Sequence, residues 1–375
     1  MEITILKDKL KEVLQIISDI CSKRSDLNIL NYFYLEAKDN KIYISATDLD
    51  LNYQTTFPSR IIKEGKILIP AKQFQNIIEN LYEDDLTLET KDNVLFIKTK
   101  QTFSSLPGLL EEDFPTFQNI NYDNYFEIDS NIFDDFVNKL YPILLTSDLR
   151  PEYSGIYFDL NNDNLNLVAT DTIRLGIQLV KPQLFETNIK KINALLSKRL
   201  ISEYKSIRKK SGKLKIYFEE TQVTFEILNH KLTTKLSSIE YPNYKSFMSP
   251  NNFLFSFLID KDNILKALRL SKIFSGNLRE VELSFDLKNN KLTLYSKNEF
   301  LGENKNIIDF QIKDNNLVDD SFNIKFSVDF LIDGFNVNEG EKIFAGFFNG
   351  PHQDSSPIYI KSPLYDDFFY IAIHR

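Results

Sequence analysis

The sequence predicts an α+β fold of three similar domains, each with two helices backed by antiparallel sheet. One observation behind this prediction is a hairpin-like pattern of two alternating apolar runs around an Asn/Asp-rich turn. The pattern occurs three times, at Tyr34–Leu51, Tyr157–Leu175 and, more faintly, Ser284–Leu301. Aligning Thr47, Thr170 and Lys297 spaces the copies by close to one third of the 375 residues. A repeat at a fixed period determines the architecture before any local pattern does.

The other observation is a short alternating strand followed by an amphipathic helix, a unit that can be read six times. Apolar residues at positions i, i+3, i+4 and i+7 predict a helix. The predicted helices lie at Leu10–Ile17, Phe74–Leu81, Phe133–Leu140, Ile192–Ile201, Ile264–Leu270 and Val328–Phe335. Asp129 and Ser130 are the expected caps of the third, and Gly334 is expected to end the sixth early. Period-two runs between the helices predict antiparallel sheet with one solvated face.

Domain boundaries follow from the same repeat. The expected domains are 1–120, 121–248 and 249–375, because Pro-containing segments close the first and second thirds. A chain of 375 residues is also too long for one hydrophobic core. None of the linkers is of low complexity, so we expect domains that pack rigidly rather than domains on tethers.

Composition narrows the class of protein. The formal net charge is −8, from 45 basic and 53 acidic residues, which argues against a simple nucleic-acid-coating protein. Basic residues nevertheless concentrate in Lys190–Lys213. The single cysteine, Cys21, excludes an intramolecular disulfide framework. The N-terminus lacks the pattern of a signal peptide, and no apolar stretch is long enough to cross a bilayer. We therefore expect a soluble, cytoplasmic protein with no membrane partner.

The search for catalytic chemistry gives no candidate. Three histidines lie far apart, and the sequence contains no Walker loop, no GxGxxG and no nucleophile elbow. The spacing of His and Cys does not suit zinc. Asp48 recurs as Asp171 in the second copy, which indicates a turn residue that binds its own backbone. We expect no catalytic residue, no metal and no cofactor.

Several separate segments resemble one known family. They are Arg24–Leu30, Ala46–Leu49, Ile69–Phe74, Ser105–Pro115, Val168–Leu175, Thr234–Tyr244 and Tyr370–Arg375. In this order, on a threefold repeat of this length, they resemble the bacterial sliding clamp, the beta subunit of the replicative DNA polymerase. The resemblance runs from end to end of the chain.

The resemblance implies the DNA clamp fold and a head-to-tail homodimer that closes into a ring. Sheets form the outside, and helices line a hole wide enough for duplex DNA. The ring slides without sequence specificity, has no catalytic activity, and tethers the replicative polymerase. The clamp loader and other clients also bind through short peptide motifs. A closed ring holds DNA topologically, so weak, salt-sensitive phosphate contacts suffice.

The DNA-facing positions of the family fall on basic and polar residues of this chain. Carried over by position are Arg24, Ser147 and Arg150. The basic fourth helix and the turn after it add Lys198, Arg199, Lys205 and Arg208. The alternative is a solvated charged face, which accounts for most runs of charge.

The resemblance also implies a client-peptide cleft between the second and third domains. The matching residues are Tyr153, Thr170, Thr172, Arg174, Leu175, Pro242, Ile371 and Ile373. The chain departs from the family where Thr172-Ile173 replaces Gly-His, where Ser246 replaces a basic residue, and where His374 replaces Pro. We therefore expect a different pocket shape and client preference. The alternative is that Leu175, Ile371 and Ile373 are simply core strand residues.

The dimer contact is expected to pair the first domain with the third domain of a second copy. Candidate residues are Phe103 and Leu106 on one side and Leu270, Ile273 and Phe274 on the other. Apolar side chains at sheet edges would form the buried centre of such an interface.

The three copies of the hairpin differ in ways that matter for function. The second carries the cleft residues, the first keeps TDLDL and is expected to have no such pocket, and the third has lost the Thr-Asp pair. Two alternatives to a replication clamp stay open. One is a scaffold of the same fold that does not serve the main replicase. The other is a metal-dependent nuclease or phosphatase that uses scattered carboxylates such as Asp48.

Overall fold

The computed structural model describes residues 1–21, 27–110, 114–115, 117, 119–144, 150–207, 211–237, 240–248, 253–349 and 356–373. Within these ranges each third of the chain contributes two α-helices. In chain order they are α1 (Lys7–Cys21), α2 (Ala71–Glu79), α3 (Ser130–Leu140), α4 (Lys198–Ser206), α5 (Lys261–Phe274) and α6 (Val328–Val337).

The strands follow the same division into thirds. The first third holds β1 (Glu2–Leu6), β2 (Tyr32–Lys38), β3 (Lys41–Thr47), β4 (Leu51–Pro58), β5 (Arg60–Lys63), β6 (Gly65–Pro70), β7 (Asp85–Lys91), β8 (Val94–Lys98) and β9 (Phe103–Pro107). The second holds β10 (Tyr125–Asp129), β11 (Gly155–Asn161), β12 (Asn164–Thr170), β13 (Arg174–Val180), β14 (Phe185–Thr187), β15 (Lys191–Ser197), β16 (Lys213–Phe218), β17 (Gln222–Ile227) and β18 (His230–Lys235). The last holds β19 (Phe253–Asp260), β20 (Glu280–Asp286), β21 (Lys291–Asn298), β22 (Gly302–Asn315), β23 (Ser321–Ser327), β24 (Lys342–Phe348), β25 (Ile358–Lys361) and β26 (Phe368–Ala372).

The first of two compact units comprises residues 1–134, 183–190 and 196–238. It contains a five-stranded sheet, β5-β1-β7-β8-β9, and a nine-stranded sheet, β14-β10-β16-β17-β18-β4-β3-β2-β6. All the strand pairs are antiparallel, as predicted. Helices α1 and α2 pack together. The apolar face of α1, which includes Leu10, Ile16 and Ile17, is completely buried, so its burial stabilises the helix on the sheet.

The second unit comprises residues 135–182, 191–195 and 239–375. Its twelve-stranded sheet runs β15-β11-β12-β13-β26-β25-β24-β19-β22-β21-β20-β23. Aromatic rings fill its core: Phe255 and Phe285 lie 4.9 Å apart between ring centroids, and Phe285 and Phe347 lie 5.5 Å apart, both edge to face. This geometry is favourable beyond simple area burial.

The strand order itself repeats three times. The group β4-β3-β2-β6 recurs as β13-β12-β11-β15 and as β22-β21-β20-β23. The group β5-β1-β7-β8-β9 recurs as β14-β10-β16-β17-β18, and then as β22-β19-β24-β25-β26, in which the long strand β22 belongs to both groups. The predicted Asn/Asp turns are confirmed, because Asp39, Asn40, Asn162 and Asn290 adopt the left-handed backbone that tight hairpins require.

The prediction for the fourth helix was wrong over its first half. Residues 191–197 form strand β15, and α4 begins only at Lys198, where the Ser197 hydroxyl accepts the backbone N–H of Leu200 at 3.2 Å. Ala194, Leu195 and Leu196 are all buried. A short, continuously apolar run of this kind fits a strand buried on both faces as well as it fits a helix.

The prediction that Gly334 ends the sixth helix was also wrong, because α6 continues through it to Val337. A Cβ at Gly334 would lie 2.5 Å from Cδ1 of the Tyr370 ring. The glycine is therefore needed for close packing against β26 rather than for ending the helix. Of the two predicted caps of α3, Asp129 precedes the helix, and its carboxylate accepts the N–H of Asn131 at 2.9 Å. Ser130 is instead the first residue of the helix.

The described ranges lack two kinds of feature. No helix there is long and apolar enough to span a membrane. The same residues contain no group of three or more His, Cys, Asp or Glu side chains placed to hold a metal ion.

Candidate functional site

The turn between β12 and β13 is held by its own side chains. The Thr170 hydroxyl accepts the N–H of Thr172 at 3.1 Å. Asp171 Oδ1 accepts the N–H groups of Ile173 at 3.1 Å and of Arg174 at 2.9 Å. These bonds satisfy backbone donors that no strand partner reaches, and they hold Thr172 at a φ of +82°.

The same turn recurs in the other two copies. Asp48 Oδ1 accepts the N–H groups of Asp50 and Leu51 at 3.1 and 2.9 Å, so its predicted role as a turn residue is confirmed. In the third copy Asn298 Oδ1 accepts the N–H groups of Phe300 and Leu301 at 2.8 and 3.0 Å. The third copy has lost the Thr-Asp pair from its sequence and has kept the turn, because an amide oxygen accepts these hydrogen bonds as a carboxylate does.

Arg174 is bound on every side. Its Nε donates to Asp171 Oδ2 at 2.8 Å, its Nη1 to Asp333 and its Nη2 to the carbonyl of Pro142 at 2.8 Å. The guanidinium also lies 4.5 Å from the centroid of the Phe330 ring. Burial lowers the pKa of Arg174, but neighbouring Tyr370 and Asp171 outweigh it and hold this pKa above its ordinary value. Arg174 therefore fixes the shape of the turn.

A cavity of about 110 Å³ opens beside this turn. It lies where the resemblance implies a client-peptide cleft, and it is called the client cleft below for that expectation alone. Its lining residues come from the turn, from the start of β13, from the end of β26 and from the segment before β19. They are Thr170, Thr172, Ile173, Arg174, Leu175, Tyr241, Pro242, Asn243, Tyr244, Phe247, Ile371 and Ile373. Leu175 and Ile371 face each other across the β13–β26 pair. The structure thus gathers seven of the eight predicted residues, all except Tyr153.

One wall of the client cleft is aromatic. The rings of Tyr157 and Tyr241 stack 4.3 Å apart and nearly parallel. The Tyr244 hydroxyl donates to Asp159 Oδ2 at 2.5 Å and accepts from Asn166 at 3.0 Å. Burial, followed by the hydrogen bond to Asp159, raises the pKa of Tyr244. The Tyr244 hydroxyl therefore stays protonated, and its hydrogen bonds to Asp159 and Asn166 hold the ring in place.

The prediction from the sequence included Pro242 but not the aromatic residues around it. Tyr241, Tyr244 and Phe247 line the client cleft, and the signal for them was the aromatic spacing of the YPNY segment itself. Tyr153 does not line the client cleft, but it interacts with Tyr241, which does. Burial, followed by the electrostatic interaction with Tyr153, raises the pKa of Tyr241. Of the residues that depart from the family, Ser246 is exposed and His374 lies outside the described ranges.

The predicted DNA-binding residues fall into three groups. Arg24, Ser147 and Arg208 lie outside the described ranges. Arg150 is exposed, 5.9 Å from the centroid of the Tyr153 ring. Lys198, Arg199 and Lys205 lie on α4, where Lys205 is exposed and Arg199 forms an ion pair with Asp48. Because the Asp48 side chain is only 1% exposed, Arg199 is bound to the protein interior.

The predicted dimer residues lie on two elements. Phe103 and Leu106 belong to β9, the edge strand of the five-stranded sheet, with Phe103 exposed and Leu106 buried. The others lie on the last turns of α5, where Leu270 and Ile273 are exposed and Phe274 is half-buried.

Comparison with known proteins connects this geometry to one family. The chain matches the N-terminal domain of the DNA polymerase III beta subunit over residues 1–118, the central domain over 127–243 and the C-terminal domain over 248–373. Among curated relatives, the beta sliding clamp of Helicobacter pylori strain J99 is 27% identical, covering 97% of this chain and 95% of the relative. That of Bacillus subtilis strain 168 is 22% identical, covering 92% and 93%.

Solved structures show the same fold. The DNA polymerase sliding clamp of Bacillus subtilis superposes with a TM-score of 0.89 at 21% identity, covering 100% of this chain and 99% of that chain. The Helicobacter pylori beta clamp bound to a DNA ligase peptide gives a TM-score of 0.86 at 22% identity, covering 100% of both chains. The predicted fold of three similar clamp domains is confirmed. The chain belongs to the family of bacterial DNA polymerase III beta subunits, the beta sliding clamps.

Proposed function

We propose that two copies of this chain close head to tail into a ring around duplex DNA. In this account the client cleft holds peptide segments of the replicative polymerase, the clamp loader and other clients, so that the ring keeps each of them on the DNA. The ring contributes position and no chemistry, and we propose a non-catalytic accessory subunit that works in the cytoplasm.

The observation that carries this proposal is a pairing of strands from successive repeats. It occurs at two places in the chain, and at a third place the two equivalent strands lack this partner within the described ranges. At one junction β4 pairs with β18, where Leu51 faces Thr234. At the next β13 pairs with β26, where Arg174 faces Ala372. The repeated strand order makes β22 the third equivalent of β4 and β13, and makes β9 the equivalent of β18 and β26.

The third pairing lacks a partner within the described part of the chain. The first half of β22, from Gly302, pairs there only with β21, and β9 pairs only with β8. Open edges of this kind template pairing with another chain. If β22 of one copy takes β9 of another, the contact is heterologous, and two such contacts close a ring.

Exposed apolar side chains beside both edges support the same pairing. Phe103 on β9 is 65% exposed, and Phe300 and Leu301, in the turn before β22, are 93% and 61% exposed. On α5 Leu270 and Ile273 are 45% and 58% exposed. A group of large apolar side chains left in water marks an interaction surface. Leu106 is already buried, so its contribution would come from the backbone edge of β9.

Sedimentation equilibrium tests the dimer. We expect wild-type protein to sediment at twice the monomer mass of 43.8 kDa. Phe103→Asp, which would bury an unpaired charge in the interface, should shift the mass towards the monomer. Ile62→Asp is the matched control, because Ile62 is also exposed but lies on β5, at the opposite edge of the same sheet. A monomeric wild type, or equal weakening by both substitutions, would contradict the proposed pairing.

The proposed DNA contacts are Arg24, Ser147, Arg150, Lys198, Lys205 and Arg208, with Arg199 as a weaker candidate because of its ion pair with Asp48. Contacts of this kind go to phosphates and do not read the base sequence. A matching measurement is the salt dependence of binding to duplex DNA. Because Lys205→Ala removes one positive charge, it should reduce the slope of log affinity against log salt by about 1, whatever the DNA sequence.

The alternative phosphodiesterase reading gains no support from Asp48. Its side chain is 1% exposed, one of its oxygens binds two backbone N–H groups, and the other binds Arg199. A catalytic carboxylate would need to reach a metal or a substrate from this position. Incubation of duplex DNA with the protein and Mg²⁺ or Mn²⁺ tests the point: we expect no cleavage, and cleavage abolished by Asp48→Asn would overturn the non-catalytic assignment.

The predicted domain boundaries, 1–120, 121–248 and 249–375, stay part of the proposal. The repeated strand groups support them, since each group of strands falls within one third of the chain. Limited proteolysis should cut first near residues 120 and 248.

The remaining alternative, a clamp that does not serve the main replicase, is distinguished by a primer-extension assay with the organism's own replicative polymerase. Product length that is unchanged by added clamp would favour that alternative.

A further inference from the structure

A second cavity lies beside the first copy of the turn, where the sequence predicted none, so that prediction was wrong. It measures about 340 Å³, against about 110 Å³ for the client cleft. Its lining includes Thr47, Leu49 and Asn52 of the turn and Thr233 of β18. We call it the polar cavity. All of its residues belong to the first compact unit.

The polar cavity is the counterpart of the client cleft by strand register. Thr47 faces Asn52 across the β3–β4 pair as Thr170 faces Leu175 across the β12–β13 pair. Leu49 and Thr172 share the left-handed backbone, at φ values of +77° and +82°. The two turns therefore present the same backbone to two different cavities.

The opposite walls correspond as well. Asn52 faces Thr233 on β18, and Leu175 faces Ile371 on β26. Pro115 and Phe117 line the polar cavity, and they follow the first repeat in the same Pro-x-aromatic spacing as the cleft-lining Pro242 and Tyr244 follow the second. The polar cavity is thus lined by three parts of the chain, a turn, a facing strand and a Pro-x-aromatic segment. Each corresponds to a part that lines the client cleft.

The chemistry of the two sites differs at two matching positions of their linings. Where the client cleft presents Leu175 and Ile371, the polar cavity presents an amide and a hydroxyl, Asn52 and Thr233. Asn52 Oδ1 is hydrogen-bonded to the Thr47 hydroxyl, and no hydrogen bond of its Nδ2 occurs in the described part of the chain. The Thr233 hydroxyl already has a partner, the Thr224 hydroxyl at 2.9 Å, so the amide of Asn52 is the group open to a ligand. An aliphatic side chain pressed against this amide would leave its N–H groups without water and without a partner.

We propose that the polar cavity binds an extended segment of a partner protein whose inserted side chain ends in a carboxamide or a hydroxyl. Asp50 and Lys235, one acid and one base, also line it, so the cavity favours a neutral anchor over a charged one. Its volume lies in the range of ligand sites, with Phe117 and Leu49 as apolar walls for the stem of that side chain. The choice of a peptide as ligand class rests on the function proposed for the client cleft.

Disulfide tethering tests the proposal at both sites with one set of probes. The native Cys21 is buried, and burial, followed by Asp48, raises its pKa to about 12, so an introduced thiol is the reactive one. Leu49→Cys places that thiol at the polar cavity, and Thr172→Cys places it at the same turn position of the client cleft. The probes are acetylated tetrapeptide cysteamine disulfides that differ in one side chain, which is Gln, Asn, Leu or Phe.

Intact-mass spectrometry under competing thiol gives the fraction captured. At Leu49→Cys we expect the Gln and Asn probes to be captured about five-fold more than Leu, as a difference of one hydrogen bond implies. Adding Asn52→Leu should reverse this preference. Adding Thr233→Val together with Thr224→Val removes both hydroxyls of one buried hydrogen bond and keeps their shape, so it should weaken the preference. This second variant serves if the first does not fold.

Equal capture of all four probes at Leu49→Cys, or a preference there for Leu or Phe, would overturn the proposal. Capture at the client cleft is an independent measurement: the Thr172→Cys variant should capture the Leu and Phe probes in preference to the Gln and Asn probes. A loss of preference at Thr172→Cys with selection for Gln at Leu49→Cys would count against the proposed client cleft and leave the polar cavity standing as an independent peptide site.

Discussion

At the scale of single residues, one carboxylate serves two purposes in each of the first two repeats. One oxygen of Asp171 binds two backbone N–H groups of its turn, and the other binds Arg174. Asp48 does the same, except that its arginine, Arg199, comes from α4. The third repeat has only an amide, Asn298, at this position, and it keeps only the backbone part.

Because the two oxygens of Asp171 have different partners, two substitutions should destabilise the protein to different extents. Asp171→Asn keeps an oxygen for the turn and loses the ion pair with Arg174, whereas Asp171→Ala loses both. We expect the alanine variant to lower the free energy of unfolding by about 1–3 kcal/mol more than the asparagine variant, because two backbone donors lose their acceptor. Denaturant unfolding measures the difference, and equal losses would show that the backbone bonds contribute nothing.

His230 gives a prediction about pH. It is 7% exposed, its Nδ1 lies 2.7 Å from the Tyr53 hydroxyl, and burial lowers its pKa below the ordinary 6.5. The unfolded chain therefore binds a proton at a higher pH than the folded chain does, so stability is complete above about pH 6.5 and falls below it. His230→Gln should flatten the fall in unfolding free energy between about pH 7 and about pH 5.5. An unchanged slope would remove His230 as the cause.

Gly334 gives a prediction about packing. A Cβ there would lie 2.5 Å from the Tyr370 ring and 2.9 Å from Ile360 Cδ1, inside normal contact distance. Alanine favours a helix intrinsically by about 1 kcal/mol, so a position with open space around it would gain stability. We expect Gly334→Ala instead to destabilise by about 1–3 kcal/mol through overpacking. A higher thermal midpoint in the variant would contradict this account of the glycine.

At the scale of elements, patterns that depend on near neighbours were predictable from the sequence. The strand–helix units, the Asn/Asp turns and the backbone-binding role of Asp48 all follow from residues close in the chain. The start of α4 and the continuation of α6 were not predictable. The first depends on a strand partner that makes Ala194–Leu196 a buried strand, and the second on the ring of Tyr370, which is distant in sequence.

The same reasoning explains which part of the client cleft the sequence could give. Its turn residues were predictable because they repeat, but the many contacts of Arg174 join three separate segments of the chain. A test that removes residues from Tyr370 onwards would take most of β26 out of the middle of a sheet. Single substitutions inside the cavity are therefore the cleaner test.

For the client cleft we expect Leu175→Ser and Ile371→Ser each to weaken the binding of a fluorescein-labelled peptide that carries Gln and apolar residues. The reason is the loss of an apolar wall of roughly 50 Å² or more at about 25 cal/mol per Å², which corresponds to about ten-fold or more in affinity. Leu179→Ser is the matched control, since Leu179 lies on the same strand but does not line the cavity. Fluorescence anisotropy measures the affinities, and equal weakening in all three variants would point to general damage to β13.

At the scale of the whole molecule, the sequence repeat predicted three copies of one arrangement, and the strand order shows them. What the repeat could not predict is how the copies differ at their junctions. The two junctions within the chain have an apolar and a polar cavity beside them, because Leu175 and Ile371 at one are Asn52 and Thr233 at the other. The third junction is left as two open edges, β22 and β9, which is why we propose a closed dimer.

The most direct test of the ring is retention on DNA before and after its ends are freed. Clamp loaded onto a nicked circular duplex by its loader is separated from free protein by gel filtration in moderate salt, and the circle is then cut at one restriction site. We expect the protein to stay with the circle and to dissociate from the linear DNA, because it is held topologically and not by affinity. Equal retention on both forms, or equal dissociation from both, would contradict a ring that encircles DNA.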